Sequence, residues 1–363
     1  VGPEPDGRIL GGFNFNHRVG DGFAIEQWSG AKGILDDVLP EVGVWAGPAL
    51  TDEELAAKRE EAATRINIFL DEPKPSTYPW ADTAHYLYYS DPDRSGVFPC
   101  QEPGPFIRNF ADEFIFVKRP GYYASCFVGA PAAEWYTRKR ENFRKPFAGD
   151  AETTGGEVAD IRRSTPFGGG GLTGFWTEDY GHSLLATNWA PSCHNGLTAT
   201  DAEGLRWWED YHAHEFALDE EIGSLTITGR VEGQPIAYER VYLFGDEALG
   251  VELTLTVDEH VRLADLVETI PLALGEWKSR GAVIEAVGAT AGEVDAASFT
   301  IADETGAGVA VTFADTRHLR LIPDGLRNSG WRKLQIGRVE VTLPTDLRTG
   351  QVIRLSYTLA PIG

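Results

Sequence analysis

From Ser224 to the end of the chain, hydrophobic and polar positions alternate with a period of two, the signature of strands with one face in a core and one in water. Leu225 to Thr228 reads as one strand, followed by Ala237 to Phe244, a Gly245-Asp246 turn and Gly250 to Val257. The pattern predicts further strands at Val261 to Glu268, Val283 to Val287, Ser298 to Ala302, Val309 to Phe313, Leu319 to Ile322, Arg338 to Leu343 and Gln351 to Leu359. Upstream, Glu113 to Val117 and Gly121 to Val128 are short apolar strands joined at Arg119-Pro120-Gly121, and Leu172 to Thr177 pairs with Ser183 to Thr187 across Asp179-Tyr180-Gly181. Thr83 to Ser90, crowded with aromatics, reads as another strand. Closely spaced strands separated by turn signals predict a mainly β protein, a large antiparallel β-sandwich.

The N-terminal segment is different. The first fifty residues are Gly-rich, with a short helix expected from Gly33 to Leu39 before Pro40. Thr51-Asp52-Glu53-Glu54 is a capping box, in which the hydroxyl and the glutamate satisfy each other's backbone N–H groups. It opens a helix expected to run to about Ile66, through Ala, Glu, Lys and Arg. The expected organisation is a loop and helix segment over residues 1–70 and a sandwich over 71–363.

Composition narrows the function. The 363 residues are 42% hydrophobic and carry a net charge of −23, which argues against nucleic acid as a partner. No apolar run approaches the roughly 18 residues of a membrane-spanning helix. A local basic cluster at Arg138, Lys139, Arg140, Arg144 and Lys145 still offers a place for a polyanionic substrate, although a solvated face accounts for it equally. Cys100, Cys126 and Cys193 are too few for a disulfide framework or a zinc ribbon, and either one disulfide with a spare thiol or three buried thiols would fit them. The sequence holds no Met and opens on Val1, as expected of a processed or truncated product.

Three segments carry more polar chemistry than a sandwich requires. Asn16, His17, Arg18 and Asp21 lie on a Gly-rich loop near Trp28, a setting that forms binding sites and also satisfies its own backbone. The run Gly168 to Gly171 leads to Trp176 and Tyr180, whose flat faces suit sugar rings or a core. Read as a strand, Trp207 to Glu215 puts His212 and His214 on one face, where they would share a divalent metal (zinc or calcium) if a third ligand met them, with Asp210 or Glu215 able to add an oxygen. A proton-transfer or structural role fits the same histidines. Signatures of serine hydrolases, zinc proteases, thioredoxins and dinucleotide enzymes are absent from the sequence.

Several stretches resemble the β super-sandwich region of polysaccharide lyases, the heparinase II/III-like and related uronate-lyase families. They are the Gly20-Asp21-Gly22 loop, the stretch Phe110 to Cys126 with Lys118 and Arg119 before Tyr122 and Tyr123, and the run from Gly223 through Tyr238, Arg240 and Tyr242 to Glu268 and Pro271. The likeness is one of layout over most of residues 80 to 290. It implies a carbohydrate-active protein acting on a polysaccharide or oligosaccharide, secreted or periplasmic, that cleaves uronate glycans by β-elimination. It also implies a helical toroid before the sandwich, of which residues 1–70 would be a remnant, so a missing N-terminal helical domain or a second chain is an expected partner. The family's catalytic residues lie partly in that toroid and do not map one to one. By residue type, Asn16 and Arg18 suit carboxylate neutralisation, His17 or His85 the base and Tyr86 or Tyr180 the acid, with Trp28, Trp176, Arg138 and Arg140 binding substrate. A glycoside hydrolase, needing two facing carboxylates, and a non-catalytic carbohydrate-binding or scaffold region remain alternatives.

Overall fold

The computed structural model describes residues 8–9, 23–24, 53, 56–57, 103–129, 171–185, 196–210, 213–275, 283–286, 292–322, 326–328 and 333–363. Two compact units divide the chain, Val1–Gly11 with Gly22–Pro103, and Gly12–Asp21 with Gly104–Gly363. In the first, β1 (Arg8–Ile9) pairs antiparallel with β2 (Phe23–Ala24), and Glu53, Ala56 and Ala57 are helical, as the capping box predicts. The helix expected after Gly33, the strand expected after Thr83 and the boundary expected near residue 70 lie outside the described residues.

The second unit is built of antiparallel sheets. A five-stranded sheet runs in chain order through β3 (Phe106–Phe110), β4 (Phe114–Lys118), β5 (Tyr123–Phe127), β6 (Leu172–Thr177) and β7 (Gly181–Leu185). The other strands are β8 (Gly196–Asp201), β9 (Arg206–Trp208), β10 (Glu215–Asp219), β11 (Ser224–Arg230), β12 (Ile236–Phe244), β13 (Leu249–Val257) and β14 (Val261–Gly275). They continue with β15 (Val283–Ala286), β16 (Gly292–Ala302), β17 (Gly308–Ile322), β18 (Leu326–Asn328), β19 (Lys333–Thr342), β20 (Asp346–Leu347) and β21 (Val352–Ile362). These form one 14-stranded sheet in the order β10-β11-β12-β13-β21-β17-β19-β14-β8-β9, with β15 and β16 branching from β17, β18 from β19 and β20 from β14.

Strict alternation places Ile236, Tyr238, Arg240, Tyr242 and Phe244 of β12 inward, and Leu249, Val251, Leu253, Leu255 and Val257 of β13 beside them. The two long strands depart from the expected layout. β17 joins two predicted strands because it changes partner, pairing β21 from Gly308 to Phe313 and β19 from Leu319 to Ile322. β14 runs past Glu268 through Pro271 to Gly275. The last described pair with β8 is Thr269–Gly196, so among the described residues only β19 pairs with β14 at Pro271, a setting that tolerates a missing N–H.

The large sheet is strongly curled. Arg240 on β12 touches Glu268 on β14 at 2.9 Å although four strands separate them in the sheet order. On a flat sheet that separation would be roughly 24 Å at about 4.8 Å per strand, far beyond the reach of two side chains. The small sheet packs on the same core. Arg119 Nε donates to the Phe244 carbonyl at 2.9 Å, Tyr122 Oη to that of Gly245 at 2.9 Å, and the Leu172 N–H to Tyr242 Oη at 3.0 Å. Residues of both sheets, from Ile115 and Phe175 to Leu255 and Leu359, form one hydrophobic cluster.

Candidate functional site

Among the described residues, a fully buried charged constellation lies inside the sandwich. Alternation along β12 and β14 sends Arg240 and Glu268 into the core, and Glu209, just after β9, joins them. All three are sealed, at 0%, 0% and 1% exposure respectively. Arg240 Nη1 and Nη2 donate to Glu209 Oε2 and Oε1 at 3.0 and 2.7 Å, a forked pair of the kind that makes guanidinium–carboxylate contacts strong. Nη2 also reaches both oxygens of Glu268, at 3.1 and 2.9 Å. Glu209 Oε1 accepts the Leu197 N–H at 2.8 Å, while Tyr357 Oη lies 3.5 Å from Glu268 Oε1. The Tyr238 ring stands under the guanidinium, 5.5 Å from centroid to Cζ. Gly196, at φ +142°, leaves the space that Glu209 fills, since a Cβ there would come within 2.7 Å of Oε1.

The electrostatics follow from the burial. Desolvation pushes Glu268 up to about 7, against the pull of Arg240 and with the push of Glu209. Desolvation likewise raises the Cys126 thiol, a free and buried cysteine, and the phenols of Tyr238 and Tyr242. Arg240 stays charged because the two carboxylates outweigh its own desolvation.

A second arginine-centred group stands on the opposite face of the same sheet. Arg320 Nη2 contacts Asp265 Oδ2 at 2.5 Å and Glu340 Oε2 at 2.8 Å, and Arg338 Nε donates to Glu340 Oε1 at 2.8 Å. These side chains are partly exposed, 26% for Arg320, 31% for Asp265 and 11% for Glu340. Sharing one nitrogen puts the two carboxylate oxygens within roughly 5 Å, a separation at which glycoside hydrolases place a catalytic pair. They lie side by side on one sheet face with a guanidinium between them, an arrangement of charge pairing rather than of two acids facing each other across a groove.

The residues singled out by sequence distribute unevenly. Asn16, His17, Arg18, Trp28, His85, Tyr86, Arg138, Arg140 and His212 lie outside the described residues. Tyr180 is buried in the core cluster at the β6–β7 turn. Trp176 is half-buried, with its indole N–H enclosed and lacking an acceptor among the described residues. His214 does not sit in a strand as expected. β9 stops at Trp208 and β10 starts at Glu215, so the histidine lies in the connection, where Nε2 is 2.6 Å from the Val128 carbonyl. Among the described residues, no group of three or more His, Cys, Asp and Glu is placed to hold a metal ion. Sequence reading left Glu209 without a role and took Arg240 and Glu268 only as parts of a layout. The signal for Arg240 and Glu268 is a charged residue at an inward position of an otherwise apolar stripe.

The sequence matches no protein-family model and no curated protein. Among solved structures it is similar to 4-alpha-glucanotransferase from Thermococcus litoralis, at 12% identity and a TM-score of 0.44 over 93% of this chain and 57% of that one. It is similar to heparan sulfate lyase from Pedobacter heparinus at 11% identity and 0.45, over 87% and 43%. A galactose mutarotase-like protein from Lactobacillus casei aligns at 10% identity and 0.37, over 71% of this chain and 100% of that one. The chain thus spans just over half the length of the glucanotransferase and less than half that of the lyase. Likeness at these levels assigns no activity.

Proposed function

We propose that the chain is a carbohydrate-active protein whose reaction is β-elimination on a uronate-containing glycan, with the sandwich as the frame of the site. One observation carries the reading. The two segments on which the resemblance to uronate lyases rests, around Tyr238-Glu239-Arg240 and around Glu268, meet directly through the Arg240–Glu268 contact within a mainly antiparallel sandwich. In this reading Asn16 and Arg18 neutralise the uronate carboxylate, so that negative charge developing at C5 is stabilised. His17 or His85 removes the C5 proton, and an acid protonates the departing C4 oxygen. Tyr86 is preferred for the acid, because Tyr180 is buried and a leaving-group acid has to reach the glycan.

The test is ultraviolet absorbance during incubation with a panel of uronate polysaccharides. Rising absorbance from the new C4=C5 double bond is expected, lost in His17→Ala or in His85→Ala, whichever is the base. New reducing ends without absorbance would establish hydrolysis instead. A second reading, a scaffold region of a larger carbohydrate enzyme, is favoured by the sealing of the inner charges and the mutual neutralisation of the outer ones. Glycan binding with neither product would establish it.

A further inference from the structure

One guanidinium cannot neutralise two carboxylates, and Glu209, Arg240 and Glu268 are sealed from the solvent that would screen the surplus. With both acids ionised the sealed group carries a net charge of −1, in surroundings where an unpaired charge costs several kcal/mol. The donors are unevenly divided. Glu209 takes the forked pair from Arg240, the Leu197 N–H and a hydrogen bond from Tyr238. Glu268 has one arginine nitrogen, shared with Glu209, and the long contact to Tyr357.

We propose that Glu268 holds a proton in the folded protein and that the Glu209–Arg240–Glu268 clamp is thereby a pH-sensitive lock between β12, β14 and the end of β9. Around Glu268, β12 contributes Arg240, Tyr238 and Tyr242, the end of β9 Glu209, β21 Tyr357 and the small sheet Cys126. Arg240 is the one cation of this set, and Glu209 engages it with both oxygens. A protonated Glu268 is neutral and leaves Arg240 and Glu209 as a balanced pair.

The sign follows from linkage. An acid that binds its proton more tightly folded than unfolded stabilises the fold fully below its unfolded value, and the contribution disappears as pH rises through the folded one. Here the window runs from the ordinary glutamate value of 4.5 to about 7. Rising pH therefore weakens the lock, against the usual expectation that ionising a salt-bridged carboxylate strengthens a fold.

Thermal unfolding of the whole chain at about pH 5 and about pH 8, wild type against Glu268→Gln, tests this. Glutamine mimics the protonated acid. The wild type is expected to lose about 3 °C more than the variant between the two conditions, with the two proteins close together at the lower pH. Equal pH dependence would overturn the proposal, because charge repulsion elsewhere is common to both. Should Glu268→Gln fail to fold, carbon-13 NMR of wild-type protein labelled at glutamate carboxyls gives an independent reading. One carboxyl titrating near neutrality is expected, and none titrating above about pH 6 would overturn the lock.

Discussion

β14 carries two clamps in which a pair of acids brackets an arginine, one on each face. Inward, Glu268 and Glu209 bracket Arg240 in a sealed core. On the other face, Asp265 and Glu340 bracket Arg320 with water in partial reach and Arg338 adding a second cation. The chemistry is alike and the surroundings are opposite. Solvent and Arg338 offset the surplus negative charge of the outer group. The inner group has only titration. What a salt bridge does to a fold is therefore set by what else can absorb its imbalance, more than by its distances.

The sharpest way to break the comparison is to remove each arginine. Arg240→Met leaves the Glu209–Glu268 pair sealed without its counter-charge, and a loss of about 3–5 kcal/mol is expected in urea unfolding. A loss under about 1 kcal/mol would mean that water reaches the inner clamp after all. Next in size is Gly196→Ala, which combines a φ of +142° with a Cβ only 2.7 Å from Glu209 Oε1. It is expected to cost about 1–3 kcal/mol, and an unchanged midpoint would show that the Glu209 carboxylate is free to move.

Arg320→Met is expected to cost about 1–2 kcal/mol, with the gap from wild type narrowing in high salt, as befits a partly screened group. A salt-independent gap would place the outer clamp with the inner one. As the baseline, Arg230→Ala removes an ordinary surface pair with Asp258, half-exposed on both sides, and should stay within about 0.5 kcal/mol.

How much of this was legible in the chain depends on what each strand had to bury. β11 to β13 were plain because Leu225, Ile227, Val251 and Leu253 mark every second position with a large apolar side chain. β8 was not, since Gly196-Leu197-Thr198-Ala199 offers only one bulky apolar residue and its inward face is completed by neighbours. The polar stretch Ala314 to His318 hid the continuity of β17, which is strand because it bridges two partners. The resemblance picked out Arg240 and Glu268, yet nothing in the spacing says that they touch. Residues 28 apart in sequence and four strands apart in the sheet meet only once the curl is known. Glu209 had no signal of its own, because its position follows from the β8–β9 hairpin and from the space above Gly196.

The position of β21 has a further consequence, for the order of events in folding. This strand lies between β13 and β17, at the middle of the large sheet, yet it comes from the C-terminal end of the chain. The meander β10 to β13 forms from neighbours in sequence and the group β14, β17 and β19 from strands further apart, and among the described residues the two share no ladder until Val352–Ile362 slides between them. The sheet is thus closed by a keystone that is synthesised after its other described strands. Until it arrives, two long inner edges stand open side by side, with the hazards of mispairing that such edges carry.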